Sequence, residues 1–333
     1  MKRWFVELLG ITFTLSFLLA RESYDEYLVE EAKEPKTEQP WFTGPILTPS
    51  GHVVPEKHQN YEPYVYWTQA KGNYDAHWNP HSGTLFNNIL YQVTMQFGVL
   101  PNTEFDTAPQ FVYNAISGQH MWRVSDIPMT LAFQVLHDHT NNWYPAIKLR
   151  FAANLPLGKY DHLNPARLGT DIGGIGTWYP SVGTVLTQLH HITGIQYLAW
   201  RLFINYSMTT PTNVKGLSAY GGAPSVAGIK GTRGTVYPGN VFLVLGGLEY
   251  SLSQNWGLAI DIQYQHTNKQ RFSGYSPLGT KPIAPSRELF ALAPAIEYNW
   301  NANLGIIAGP WFTVTGRNTA KFISYIIALN IYN

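Results

Sequence analysis

The feature that most restricts the fold of this chain is a strict two-residue alternation. In "NWGLAIDIQYQH" (Asn255 to His266), Trp256, Leu258, Ile260, Ile262 and Tyr264 share one face, and Gly257, Ala259, Asp261, Gln263 and Gln265 share the other. A helix repeats its apolar residues every three to four positions and a strand every two, so this segment reads as a strand. Aromatic residues at both ends with aliphatic ones between them match the cross-section of a bilayer, because Tyr and Trp settle where an apolar ring and a polar handle are both satisfied. The pattern recurs from residue 60 onward. Leu85, Ile89, Tyr91, Val93, Met95 and Phe97 alternate with Asn88, Gln92, Thr94 and Gln96, and Leu198, Trp200, Leu202, Ile204 and Tyr206 with Ala199, Arg201 and Asn205. Ile323, Tyr325, Ile327, Leu329 and Ile331 form one face of the last such segment.

Composition decides what the second face touches. Charged residues make up 13% of the chain, against roughly 25% in soluble globular proteins, while 21 Tyr and 11 Trp lift the aromatics to 14%. A soluble sandwich would carry Lys and Glu where this chain places Gly, Ala, Gln and Asn. Mean hydropathy is only −0.15, far below that of a helical membrane protein. A net charge of +1 leaves no electrostatic footprint for nucleic acid. The expected fold is therefore all-β: an antiparallel transmembrane β-barrel of about 12 strands, closed because only closure satisfies strand edges in lipid.

The alternation predicts strands near 60–69, 84–98, 103–114, 127–137, 144–155, 176–189, 194–208, 240–252, 255–267, 287–299, 302–315 and 320–332. Connections near 99–102, 138–143, 190–193, 253–254 and 300–301 are short; those near 70–83, 115–126, 156–175, 209–239 and 268–286 are long, and only the last on that side, near 316–319, is short. Short periplasmic turns and long outer loops are the habit of outer-membrane barrels. The C-terminus then lies on the periplasmic side, where the chain ends Ile331-Tyr332-Asn333, its aromatic residue one short of the usual last position.

The N-terminus supplies an address. Lys2 and Arg3 precede the apolar "LLGITFTLSFLLA" (Leu8 to Ala20), too short to span a bilayer, so residues 1–20 read as a signal peptide cleaved after Ala20. Residues 21–57 form an irregular extension ahead of the barrel at 58–333. Its first part is acidic and proline-bearing, whereas "WFTGPILTPSGHVVP" (Trp41 to Pro55) is apolar with turn residues. Trp41, Phe42, Ile46 and Leu47 could fold into the lumen as a plug; the alternative is a periplasmic lid. Outer-membrane lipid is one expected partner.

The glycine-rich stretch "LPLGKYDHLNPARLGTDIGGIGTW" (Leu155 to Trp178) is not a nucleotide loop. Gly173, Gly174 and Gly176 are followed by Tyr179 where a dinucleotide fingerprint needs its third glycine, and no Gly-Lys-Ser/Thr is present. It reads as an outer loop, and it carries a resemblance. "LPLGKYDHLNP" followed by "LGTDIGGIGTW" resembles the motif of the outer-membrane family named for the MetA pathway of phenol degradation, and "WFTGPILTPSGHVVPEKHQNYEPYVYW" resembles the N-terminal entry to the barrel in some members. The resemblance extends over residues 41–333. It implies a transporter-like barrel that moves small hydrophobic or aromatic compounds across the outer membrane, and it defines no ligand residues.

Alternation projects Lys148, Arg150, Arg201, Glu249, Asp261 and Glu297 inward, where charge belongs in a barrel. Such a set either narrows or gates a channel or fills a narrow barrel as an ion-pair lattice. No catalytic residue, metal or cofactor is expected. His137/His139 and His190/His191 fall in or beside short periplasmic turns, and there is no G-x-S-x-G elbow. The expected function is a channel or transporter for a small hydrophobic molecule. The alternatives are a structural or adhesive barrel acting through loops 209–239 and 268–286, and a general diffusion porin.

Overall fold

The computed structural model describes residues 39–138, 144–224 and 231–333, so the expected signal peptide and nearly all of the acidic stretch lie outside the described residues. The strands are β1 (Gln59–Tyr74), β2 (Pro80–Leu100), β3 (Thr103–Thr107), β4 (Gln110–Ile116), β5 (Gln119–Val124), β6 (Ile127–Leu136), β7 (Ala146–Leu155), β8 (Ser181–Thr193), β9 (Gln196–Ser207), β10 (Thr212–Lys215), β11 (Arg233–Tyr237), β12 (Val241–Ser251), β13 (Trp256–Thr267), β14 (Arg271–Tyr275), β15 (Arg287–Asn301), β16 (Leu304–Arg317) and β17 (Ala320–Tyr332). The sheet closes because β1 pairs antiparallel with both β2 and β17. At the closing end Gln59 and Asn333 exchange two backbone hydrogen bonds, and the Tyr332 ring stacks on His58 at 5.5 Å.

Two wall strands are interrupted at the same height. β3 and β4 are one strand broken at Ala108–Pro109, and β5 and β6 are one broken at Ser125–Asp126, so fourteen paired segments make twelve wall strands. Proline has no N–H for the ladder; bonds from Val93 N to Pro109 O and from Ala108 N to Pro128 O carry the pairing across the break. Above it, β5 pairs only with β4.

The outward face is the one the alternation selects. Trp256, Leu258, Ile262, Ile296, Tyr325, Ile327 and Ile331 are exposed, as apolar side chains against lipid must be. Their inward neighbours Ala259, Asp261, Ala293, Glu297 and Ala328 are buried.

Four of the five long connections differ from the expectation. Residues 70–83 are mostly strand: β1 runs to Tyr74 and β2 starts at Pro80, leaving a five-residue turn in which Asp75 accepts the His77 and Asn79 N–H groups. Residues 115–126 form a tight hairpin instead of a loop, with positive φ at Ser117 (46°) and Gly118 (79°), the backbone of a type I′ turn. Residues 209–239 and 268–286 contain β10, β11 and β14, a three-stranded sheet. It continues the wall without a slip: the pairing Ser207–Val241 carries on as Thr212–Val236, and Val241–Thr267 as Tyr237–Arg271. Composition hid these extensions because Gly, Asn, His and Pro occupy strand ends that leave the bilayer, where no apolar face is required. In the opposite direction, β8 begins at Ser181 instead of 176, after the irregular Trp178-Tyr179-Pro180.

Candidate functional site

Residues 41–58 cross the barrel interior and bond in turn to β15, β13, β8, β6, β3 and β2. The segment enters beside the β12–β13 turn, where Trp41 N donates to Gln254 O at 3.2 Å and Trp41 O accepts Asn299 Nδ2 at 2.9 Å. Thr43 N then donates to Glu297 Oε2 (2.8 Å), Leu47 N to Asp261 Oδ2 (3.0 Å), and Thr48 N to Asp261 Oδ1 (2.9 Å). Gly51 N reaches Thr187 Oγ1 (2.9 Å), Val53 N reaches Gln134 Oε1 (2.9 Å), and Val54 N reaches Glu104 Oε2 (2.6 Å). Lys57 N ends the traverse on Gly98 O at 3.0 Å. A segment with no partner strand must place its backbone polar groups somewhere, and the wall supplies carboxylates and amides for them. Carboxyl oxygens of Glu297, Asp261 and Glu104 accept four of these backbone N–H groups.

Side chains explain why this stretch is apolar. Ile46 is buried among Ala259, Ile307, Ile326 and Ala328, with Leu47, Tyr64, Tyr66 and Trp311 packed around it. Phe42 lines the cavity beside it and Trp41 is half-buried at the mouth. Gly44 has φ +102°, and a Cβ there would stand 2.9 Å from the Arg201 guanidinium, so a side chain would displace either the segment or the arginine.

The six inward charges fall into two groups. On one side, Lys148 Nζ lies 3.2 Å from Glu104 Oε1 and donates to His52 O at 2.8 Å, while Arg150 reaches Asp106 at 3.3 Å and covers the Phe203 ring at 5.7 Å. On the other, Arg201 Nη2 lies 2.8 Å from Glu249 Oε2, close enough for an ion pair although off-line for a hydrogen bond. Asp261 and Glu297 take backbone N–H groups of the segment. Glu104, Asp106 and Gln134 escaped the sequence reading. Glu104 and Asp106 sit at a two-residue interval, which is the signal that would have found them. Among the described residues no group of three His, Asp and Glu side chains suits a metal; His139 lies outside them, and Asp138 pairs with His52 at 2.6 Å.

That pair pins the segment at the periplasmic mouth. Burial raises the Asp138 carboxyl, but the hydrogen bond and charge of the His52 ring, together with backbone hydrogen bonds, outweigh it and hold it below its usual value. A carboxyl depressed on folding stabilises above the ordinary carboxylate range and loses that contribution as pH falls through its folded value. Amide protection over residues 50–53 is therefore expected to fall as pH drops below about 4. D138N should lose part of that protection already at neutral pH, as read by hydrogen exchange.

A second chamber occupies the outer half of the lumen. It measures about 680 Å³, within the usual range for small-molecule pockets, and its wall includes Phe86, Leu90, Val112 and Ala152. The glycine-rich loop 156–175 folds in as its roof through Ile172 and Ile175. Asp126, at the strand break, fixes the roof: its carboxylate accepts Gly158 N at 2.8 Å and Ile175 N at 3.0 Å. A Cβ on Gly174 would lie 2.2 Å from Asp126 Oδ1, so only glycine allows the approach. Gly173 in turn lies against Val124 O on the β5 edge, so the loop covers a strand edge that no ladder closes. D126A should free the roof, and trypsin should cut after Lys159 or Arg167 at least tenfold faster than in the unaltered barrel. Equal rates would mean that Asp126 does not hold it.

A closed twelve-stranded wall with a lipid-facing aromatic and aliphatic belt defines an outer-membrane β-barrel of a Gram-negative bacterium, here with its lumen crossed by its own N-terminal segment. The COG4313 outer membrane channel from Pseudomonas putida F1 superposes with a TM-score of 0.64 at 9% identity, over 85% of this chain and 98% of that one. The transport unit of the autotransporter AIDA-I from Escherichia coli gives a TM-score of 0.42 at 12% identity (83% and 90% covered), and the Ralstonia pickettii toluene transporter TbuX 0.37 at 11% (87% and 92% covered). Scores that low bear on nothing further, and the first shows shared fold alone. No family model and no curated protein matches the chain, so the resemblance to the phenol-degradation family is carried by the quoted motifs alone.

Proposed function

We propose that this barrel is an outer-membrane transporter for a small hydrophobic or aromatic compound, with residues 41–55 as its plug. The observation that carries the reading is the contrast between the two halves of the lumen. The outer half holds an apolar chamber under a folded-in roof. The inner half is filled by a segment bonded to the wall, beside a polar cavity of about 430 Å³ lined by Glu62, Gln92, Thr94 and Asp106. A diffusion porin needs a continuous wet path, whereas this chamber exposes mostly apolar surface, with Asn88, Asn114, Asp126 and Asn154 among its lining. A solute that leaves the chamber meets either the plug or the β5 edge, where the wall is held by loop contacts instead of a ladder. The resemblance of its motifs to the family named for phenol degradation fits the same reading.

The test is permeation of two solutes. Cells or proteoliposomes carrying the barrel should take up naphthalene at least fivefold faster than those without it, and Ala152→Trp, which fills the chamber, should remove the gain. Arabinose in a liposome-swelling assay should pass at background rates. Rapid arabinose entry with no effect on naphthalene would replace the transporter with a porin.

A further inference from the structure

The sheet formed by β10, β11 and β14 has one face turned away from the rest of the molecule. Its other face is closed: Thr212, Val214 and Val236 are buried, and Thr212 Oγ1 donates to Gly176 O in the segment below the roof. The exposed face is built in three rows by direct cross-strand pairing. Lys215, Arg233 and Tyr275 form the first, Asn213, Thr235 and Ser273 the second, and Tyr237 with Arg271 the third. Each arginine lies over the tyrosine opposite it, Arg233 over Tyr275 and Arg271 over Tyr237, both at 5.8 Å. Among the described residues none of the three cations is paired with a carboxylate. The nearest acid, Asp161, pairs with His162 at 3.0 Å and accepts the Lys215 backbone N–H at 3.2 Å.

We propose that this face binds the phosphorylated sugars of the glycolipid that fills the outer leaflet around the barrel. The chemistry and the position argue together. Guanidinium groups preorganised on aromatic rings and left without an internal counter-ion suit phosphate oxygens, which they bind in fork geometry. The tyrosine rings offer faces for sugar C–H groups, and the middle row offers hydroxyl and amide groups. Arg233 and Arg271 stand four residues and one strand apart, roughly 14 Å, which fits phosphates on neighbouring sugars and is too far for one small anion. The sheet stands above β9, β12 and β13, whose uppermost exposed wall side chains include Tyr206 and Phe242; the exposed positions change from even to odd across the irregular residues 208–211 and 238–240. Five further residues rise about 17 Å, the level of the sugar headgroups. The proposal does not depend on what the lumen transports.

The test is affinity of the whole refolded barrel, in detergent, for deep-rough lipopolysaccharide. The variant K215A/R233A/R271A should bind at least tenfold more weakly, and R233K/R271K, which keeps the charge but loses the fork, should fall between it and the unaltered barrel. Dephosphorylated lipopolysaccharide should bind the unaltered barrel as weakly as the intact glycolipid binds the triple variant, and raised salt should weaken only the phosphorylated ligand. Heat-dependent gel mobility verifies folding. If the triple variant fails it, R233Q and R271Q made singly should each lose about threefold. Unchanged affinity in the folded variants would overturn the proposal, as would equal binding of dephosphorylated lipopolysaccharide. So would equal binding of phosphatidylglycerol micelles, or full competition by millimolar inorganic phosphate, which would point to a general anionic surface or a small-anion site.

Discussion

Deleting residues 41–55 turns a barrel that passes almost no ions in a planar bilayer into one with a large, steady current. The expectation rests on where the segment's bonds go. Its backbone occupies Glu297, Asp261 and Glu104, and Ile46 fills the space between β13, β16 and β17. Without it these carboxylates line a water-filled passage, and the current should favour cations. Barrel closure does not require the segment, since β1 pairs with β17 from Asn60–Tyr332 to Asn73–Ala320. The milder D261N/E297Q should leave the segment in place but weaken three of its tethers, giving brief openings instead of a steady current. A full-length barrel that conducts as well as the deletion would end the plug reading.

The second large effect concerns stability. Lys148 and Glu104 are both essentially unexposed, at 0% and 1% of their side-chain surface. Lys148→Met leaves the Glu104 carboxylate buried without its cation and strips His52 O of a donor, at a cost of about 3–5 kcal/mol. Much of that cost is the stranded charge and not the lost attraction, so K148M/E104Q should recover most of it. Glutamine keeps an acceptor for Val54 N, which Glu104 Oε2 now holds at 2.6 Å. The midpoint of urea unfolding in lipid vesicles reads both variants. A single variant as stable as the unaltered barrel would mean that water reaches Glu104.

The sequence carried the barrel because lipid imposes a rule that reaches every wall strand. One face of β13 must be apolar along its length, and Trp256 to Tyr264 obey the period strictly. Where strands leave the bilayer the rule lapses. For that reason β10, β11 and β14, and the upper ends of β1 and β2, read as loops. The inward charges were legible for the same reason, since Lys148, Arg201 and Glu297 break an otherwise uncharged pattern. Their partners were not, because pairing between Lys148 and Glu104 depends on which strands are neighbours across the barrel interior. Asp126 was invisible for another reason: its role comes from a break in the wall, and a lone aspartate between hairpin residues looks like any turn.

Alternation, aromatic placement and scarcity of charge thus determined by themselves an all-β outer-membrane barrel of about twelve strands and the side that residues in the bilayer-spanning part of the wall face. The tertiary structure alone decided what fills it. Whether "WFTGPILTPSGHVVP" lies in the lumen or beneath it turns on hydrogen bonds to Glu297, Asp261, Thr187, Gln134 and Glu104, residues 50 to 254 positions away in the chain. No local period encodes such contacts. They exist because closure of the wall brings these side chains around one segment whose backbone has no strand to pair with.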